Sequence, residues 1–149
     1  MAVELRISVA DLTPLGGKAR HSARIYDDGL VVSHAACSCG WQSGKHHGLL
    51  RVQRERDARR DASEHMRAHL EPGEVVMCGS DVRGVWCEPW PRDAAVAALR
   101  ALGRLRRHAT VSAAGRKLRG IPRVSGTGVI VRVGDLELPV ESIREVHWS

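Results

Sequence analysis

The chain has no phenylalanine and a single tyrosine, and aromatic residues make up only 3% of its 149 positions. Its core must therefore be built largely from Val, Leu, Ile and Ala, which bury less area per side chain than aromatics do. The same shortage argues against recognition of single-stranded nucleic acid by base stacking. No apolar run approaches the roughly 20 residues of a membrane span. The opening "MAVELRISVADL" mixes acid and base with apolar residues and does not read as a secretory signal. Lysine is nearly missing: of 23 basic residues only Lys18, Lys45 and Lys117 are lysines. There is no G-x-S-x-G, no H-E-x-x-H and no carboxylate pair at an informative spacing, so nothing asks for an enzyme. "SGTG" (Ser125 to Gly128) has no following G-K-[ST] and no helix behind it, and reads as a plain loop.

What is present is a foldable chain, 43% hydrophobic and 27% charged. A small core poor in aromatics often takes a structural metal as a staple. Without a signal, the four cysteines are expected as thiols or metal ligands rather than disulfides, in the cytoplasm or in a phage particle assembled there.

Strands are expected at Leu5–Val9 and in "SARIYDDGLVVSHAACSC", a hairpin turning at Asp27-Asp28-Gly29. From Leu49 to Leu70 there is no Gly or Pro, which predicts a helix stopped by Pro72 and Gly73. "VVMCGSDVRGVWCEPW" reads as two short strands around Gly79-Ser80-Asp81, with Cys78 and Cys87 as buried thiols ahead of a cross-strand disulfide or a second metal site with stray histidines, and Trp86 and Trp90 as core or interface anchors. A helix follows from Asp93 to Arg107, then a shorter one from Thr110 or Ser112 to Leu118, then a hairpin turning at Gly134-Asp135.

The chemistry concentrates in two places. "CSCGW" sets Cys37 and Cys39 two residues apart, where a strand projects both to one face. His65 and His69 lie one helical turn apart on the predicted helix. Zinc takes four tetrahedral N or S ligands, and Cys37, Cys39, His65 and His69 supply that set, a closed structural zinc with no open position for catalysis. His34, His46 and His47 compete as loop ligands. The order, a hairpin with two Cys and a helix with two His, follows the logic of the C2H2 finger with a longer insertion.

Residues 34–70 resemble small zinc-finger-like proteins of high-GC Gram-positive bacteria and their phages, through a C-x-C-G-W…A…H-x3-H pattern. The resemblance implies Cys37, Cys39, His65 and His69 as ligands and Trp41 as a packing residue. It implies no reaction.

The second place is charge. Residues 92–123 hold nine basic residues against Asp93 alone, within a chain of net charge +6. On the first predicted helix Ala95, Ala98, Leu99, Leu102 and Leu105 make an apolar stripe beside Arg100, Arg104 and Arg107. The second adds Arg116, Lys117 and Arg119, so the pair loosely matches a helix-turn-helix.

The expected fold is α+β: an N-terminal zinc-stapled ββα unit (residues 1–71), then a β-hairpin, two helices and a C-terminal β-hairpin (residues 72–149), as two small units or one compact domain. The expected function is a zinc-containing nucleic-acid-binding accessory or regulatory protein. Arg100, Arg104, Arg107, Arg116, Lys117 and Arg119 would meet phosphates. The alternative is a non-enzymatic adaptor or phage assembly component whose arginines dock an acidic protein surface.

Overall fold

A computed structural model describes Leu12, residues 20–81 and residues 84–148. The strand expected at Leu5–Val9 lies outside the described residues. The first hairpin joins β1 (Ala23–Asp27) to β2 (Val32–Cys37) at the predicted turn. The carboxylates make that turn: the N–H of Gly29 donates to Asp27 Oδ1 at 2.7 Å, and those of Leu30, Val31 and Val32 donate to Asp28 Oδ1 at 2.8 to 3.0 Å. A two-residue strand, β3 (His46–His47), adds to β2. The helix α1 (Arg51–Ala68) then stops before Gly73, whose φ of 82° favours glycine.

β4 (Glu74–Asp81) and β5 (Gly84–Pro91) form the middle hairpin, so β4 runs through Gly79, Ser80 and Asp81 rather than turning there. Pro91 then leads into α2 (Arg92–Arg104). Gly103 sits near the end of this helix because β8 (Pro122–Val124) crosses it closely. A Cβ on Gly103 would lie 2.3 Å from the Pro122 carbonyl oxygen.

The stretch expected as a second helix is instead a hairpin, β6 (Ala109–Ala113) and β7 (Arg116–Gly120). Its turn residues, Ala114 and Gly115, both have positive φ (49° and 76°), the backbone of a tight two-residue hairpin loop that no α-helix accommodates. The alternation in β6 buries Ala109, Val111 and Ala113, a period of two rather than 3.6. The helix-turn-helix reading falls with that helix.

β8 pairs with β9 (Ile130–Val133), which turns at Gly134 into β10 (Leu136–Pro139). After a 3-10 turn at Val140–Ser142, β11 (Ile143–Trp148) returns to the main sheet. The result corrects the expected fold class. Among the described residues, a mixed eight-stranded sheet, ordered β3-β2-β1-β5-β4-β11-β6-β7, carries two helices and a separate three-stranded sheet, β10-β9-β8. All its described pairings are antiparallel except β11 with β4. Within this sheet β1, before residue 71, pairs with β5, after it.

The two sheet faces carry different cores. One face takes α1, whose Ala58, Ala62 and Met66 pack on Ala23, Ala35, Val76, Cys78 and Cys87. The other takes α2 and the small sheet around Trp86, Trp90 and Trp148, with Trp86 ring centroids 5.6 and 5.4 Å from the other two. Three tryptophans thus supply the bulk that the missing phenylalanines would have given. Cys78 and Cys87 face each other across β4 and β5 as buried free thiols.

One buried ion pair ties the first hairpin to α1. Asp27 accepts from Arg54 Nη2 at 2.8 Å and Nε at 3.1 Å, and from the Ser33 hydroxyl, while Arg54 Nη1 donates to the Gly48 carbonyl. The Ser33 hydrogen bond, reinforced by Arg54 and the Gly29 N–H, holds the Asp27 carboxyl at about 2, below its ordinary 3.8. A depressed carboxylate stabilises the fold fully above its ordinary value and loses that contribution as pH falls through the depressed one. Melting temperature measured from about pH 5 to about pH 2 should therefore fall more steeply for the wild type than for Asp27→Asn. Equal slopes would show that this carboxylate does not couple to folding.

Candidate metal centre

Cys37 is the last residue of β2, and the chain reverses directly after it. The N–H of Gly40 donates to the Cys37 carbonyl at 3.0 Å and that of Cys37 to the Trp41 carbonyl at 2.8 Å. Gly40, with φ of 97°, makes that reversal possible. Cys39 therefore sits on a turn, not in a strand as its spacing suggests. The hairpin register that sets Ala23 opposite Cys37 continues backwards through Ser22, whose carbonyl accepts from the Ser38 N–H at 3.0 Å. That continuation brings His21 beside Cys37.

From above, α1 contributes His65, on the same buried side as Ala58, Ala62 and Met66. The small alanines let the helix lie close to the hairpin. The ligand atoms of His21, Cys37, Cys39 and His65 all lie within 4.8 Å of one another. Cys37 Sγ is 3.6 Å from His21 Nδ1, and Cys39 Sγ is 3.4 Å from His65 Nε2. Metal bonds of about 2.3 Å to sulfur and 2.0 Å to nitrogen in a tetrahedron give S···N edges of about 3.5 Å. The four residues are close enough to hold one metal ion.

No family model, curated protein or solved structure matches the chain.

The surroundings suit metal ligation. Trp41 stacks on the His65 ring at 4.2 Å, with 6° between the planes. Burial, followed by the nearby His69, lowers the pKa of both His21 and His65, so both imidazoles are neutral and offer lone pairs at pH 7. Burial pushes the Cys37 thiol up, so its proton must leave as a metal arrives.

Of the four residues expected from spacing, Cys37, Cys39 and His65 are together. His69 lies just past the end of α1, outside the four-residue group. Its Nδ1 hydrogen-bonds the His65 carbonyl at 2.8 Å, and its ring is 4.6 Å from His65 and 4.8 Å from His21. The competing histidines are occupied elsewhere or absent from the group: His34 stacks on Tyr26, His46 pairs with Asp61 at 2.5 Å, and His47 lies in β3. His21 was invisible to motif spacing. Only the hairpin register, counted outward from the Asp27–Gly29 turn, points to it.

The basic residues expected to form one surface are dispersed. Arg100 is half-buried and donates to the Ser125 carbonyl at 2.9 Å, tying α2 to the turn between β8 and β9. Arg104 and Arg107 are exposed at the end of α2. Arg116, Lys117 and Arg119 are exposed on β7, an edge strand, where alternation sends Lys117 and Arg119 to one face and Arg116 to the other. Lys117 and Arg119 join a cationic set that the sequence did not single out. They line a groove of about 800 Å³ with Arg56, Arg59, Arg60 and Arg67 of α1. Among the described residues, no helix is long and apolar enough to cross a membrane.

Proposed function

We propose that this chain is a zinc-stapled, non-catalytic protein that binds nucleic acid through its phosphate backbone. Two thiolates and two imidazoles suit zinc, and four protein ligands close its coordination shell, which favours a structural over a catalytic ion. The ion would clamp α1 onto the first hairpin.

The observation that carries the binding reading is the groove. Cations from two separate elements, α1 and β7, line one concavity, and a concave wall of one charge concentrates the potential felt by a polyanion. The two carboxylates lining it are already engaged, Glu55 by Arg51 at 2.8 Å and Glu145 by His147 at 3.0 Å. A folded acidic protein would meet only the rims of such a groove, whereas a flexible polyanion enters it.

Titration of labelled oligonucleotides at 50 and 200 mM salt tests the reading. Engaging four cations implies a log–log salt slope of about −2.8 on a single strand or −3.6 on a duplex. Affinity should then drop about 50- to 150-fold between the two salts. No binding at 50 mM to either form would refute nucleic-acid binding and turn attention to an acidic protein partner.

A further inference from the structure

α1 covers only the β2-to-β4 half of its sheet face. Beyond it the same face of β11, β6 and β7 forms the groove floor, and strand register arranges that floor in two rows. Glu145 of β11 lies opposite Ser112 of β6, which lies opposite Lys117 of β7. In the next row His147 lies opposite Thr110, which lies opposite Arg119. All six line the groove, while Val111 and Val146 point the other way into the tryptophan core.

The floor is polar and incompletely satisfied. Glu145 is only 5% exposed, and among the described residues its Oε1, like the facing Ser112 Oγ, has no hydrogen-bond partner. Arg67 on the α1 wall stands 4.0 Å from that oxygen. Burial raises the Glu145 carboxyl, but the His147 hydrogen bond and the charges of His147, Arg67 and Lys117 outweigh it, so it stays ionised. A buried anion of this kind fixes the rim cations in place. A surface that only needed solubility would not place an ionised carboxylate and an unpaired hydroxyl at the bottom of a basic groove.

Dimensions decide what enters. Arg56, Arg60 and Arg67 are exposed along α1, and eleven residues at about 1.5 Å each span roughly 16 Å. At the about 3.4 Å per nucleotide of a base-stacked strand that is room for about five nucleotides, and for fewer of an extended one. Three strands about 4.8 Å apart give a floor about 14 Å wide before side chains narrow it. A duplex presents a major groove about 12 Å wide beside a minor groove about 6 Å wide, together broader than this floor, so it does not enter. The one tryptophan lining the groove, Trp148, is 4% exposed and offers no stacking platform.

We infer that this groove is a channel for one strand of nucleic acid, held by its phosphates between the α1 arginines and Lys117 with Arg119. The inference rests on the nucleic-acid reading above and adds strandedness and address to it. Recognition is through the backbone and tolerates any sequence.

The test is fluorescence anisotropy with a labelled 12-nucleotide strand, as DNA and as RNA, and a 12-base-pair duplex, at 50 mM salt. Either strand should bind at least tenfold tighter than the duplex, and comparing the two shows which sugar the channel takes. Arg56→Ala with Arg60→Ala removes one wall, and Lys117→Ala with Arg119→Ala removes the other. Each pair should weaken strand binding about tenfold and reduce the salt slope by about 1.4. Arg104→Ala with Arg107→Ala, outside the groove, should change neither. Melting curves check each variant, and if one wall fails to fold the other decides. Duplex binding as tight as strand binding, or sensitivity to Arg104 and Arg107 but not to the walls, would overturn the channel and leave nucleic-acid binding standing. No binding of any form would remove both.

Discussion

Replacing His21 with alanine is expected to release the metal, whereas replacing His69 is expected to leave it bound. His21 Nδ1 stands 3.6 Å from Cys37 Sγ, an edge length suited to a shared tetrahedral ion, and it completes the four-residue group. His69 touches the ligands rather than joining them, through the His65 carbonyl. Its loss should weaken metal binding by about 10- to 100-fold at most, the range for groups that orient a ligand. Elemental analysis should give near one zinc per chain for wild type and His69→Ala, and near none for His21→Ala. With the ion at a thousand times its Kd the folded chain gains about 4 kcal/mol, roughly 10 °C in Tm at this chain length. A chelator should therefore lower the melting temperature of the wild type and leave that of His21→Ala where it was. The reverse pattern, metal kept by His21→Ala and lost by His69→Ala, would restore the ligand set that sequence spacing suggests.

The second large effect lies on the opposite face of the sheet. Leu102 is fully buried with Leu99, Trp86 and Trp148, on the side of α2 that faces the core. Leu102→Ala should destabilise by about 2–5 kcal/mol, because the crossing β8 backbone limits how far α2 can settle into the space left. That corresponds to roughly 4–20 °C in melting temperature. The exposed neighbours Arg104 and Arg107 should each change stability by no more than about 0.5 kcal/mol when replaced. A loss under about 1 kcal/mol at Leu102 would mean that α2 is not packed as described.

Much of the local structure was legible in the residues. The Asp27-Asp28-Gly29 turn, the helix between Leu49 and Leu70 and the Gly134 turn all carry short-range signals, and α1, the first hairpin and the last hairpin lie where those signals put them. Ala95, Ala98, Leu99 and Leu102 are buried as their spacing predicts, while Leu105, just past the helix, is 46% exposed. The hairpin at Ala109–Gly120 reads as a helix in sequence because, of its two turn residues, Ala114 favours a helix and Gly115 alone opposes one. Only their positive φ, imposed by β6 pairing with β11 and β7, distinguishes the two states. The candidate metal ligands follow the same division. Cys37, Cys39 and His65 announce themselves by spacing, but His21 enters through a cross-strand register that no local motif records. The arginines of α1 likewise gain meaning only once β11 and β6 lay a floor beside them.

β11 is last in chain order among the described strands, yet it lies inside the sheet, between β4 and β6. Val76 pairs with Glu145, and every hydrogen-bonded link between the first five strands of the sheet and β6–β7 passes through that one segment. During synthesis β4 is therefore left as an open, apolar edge while the 61 residues between Asp81 and Ile143 are made. Such an edge is a template for mispairing with another nascent copy. Closing it requires a contact between segments far apart in sequence, the kind that slows folding. Expression yield, more than the melting temperature of the finished molecule, is where substitutions in β11 should first be felt.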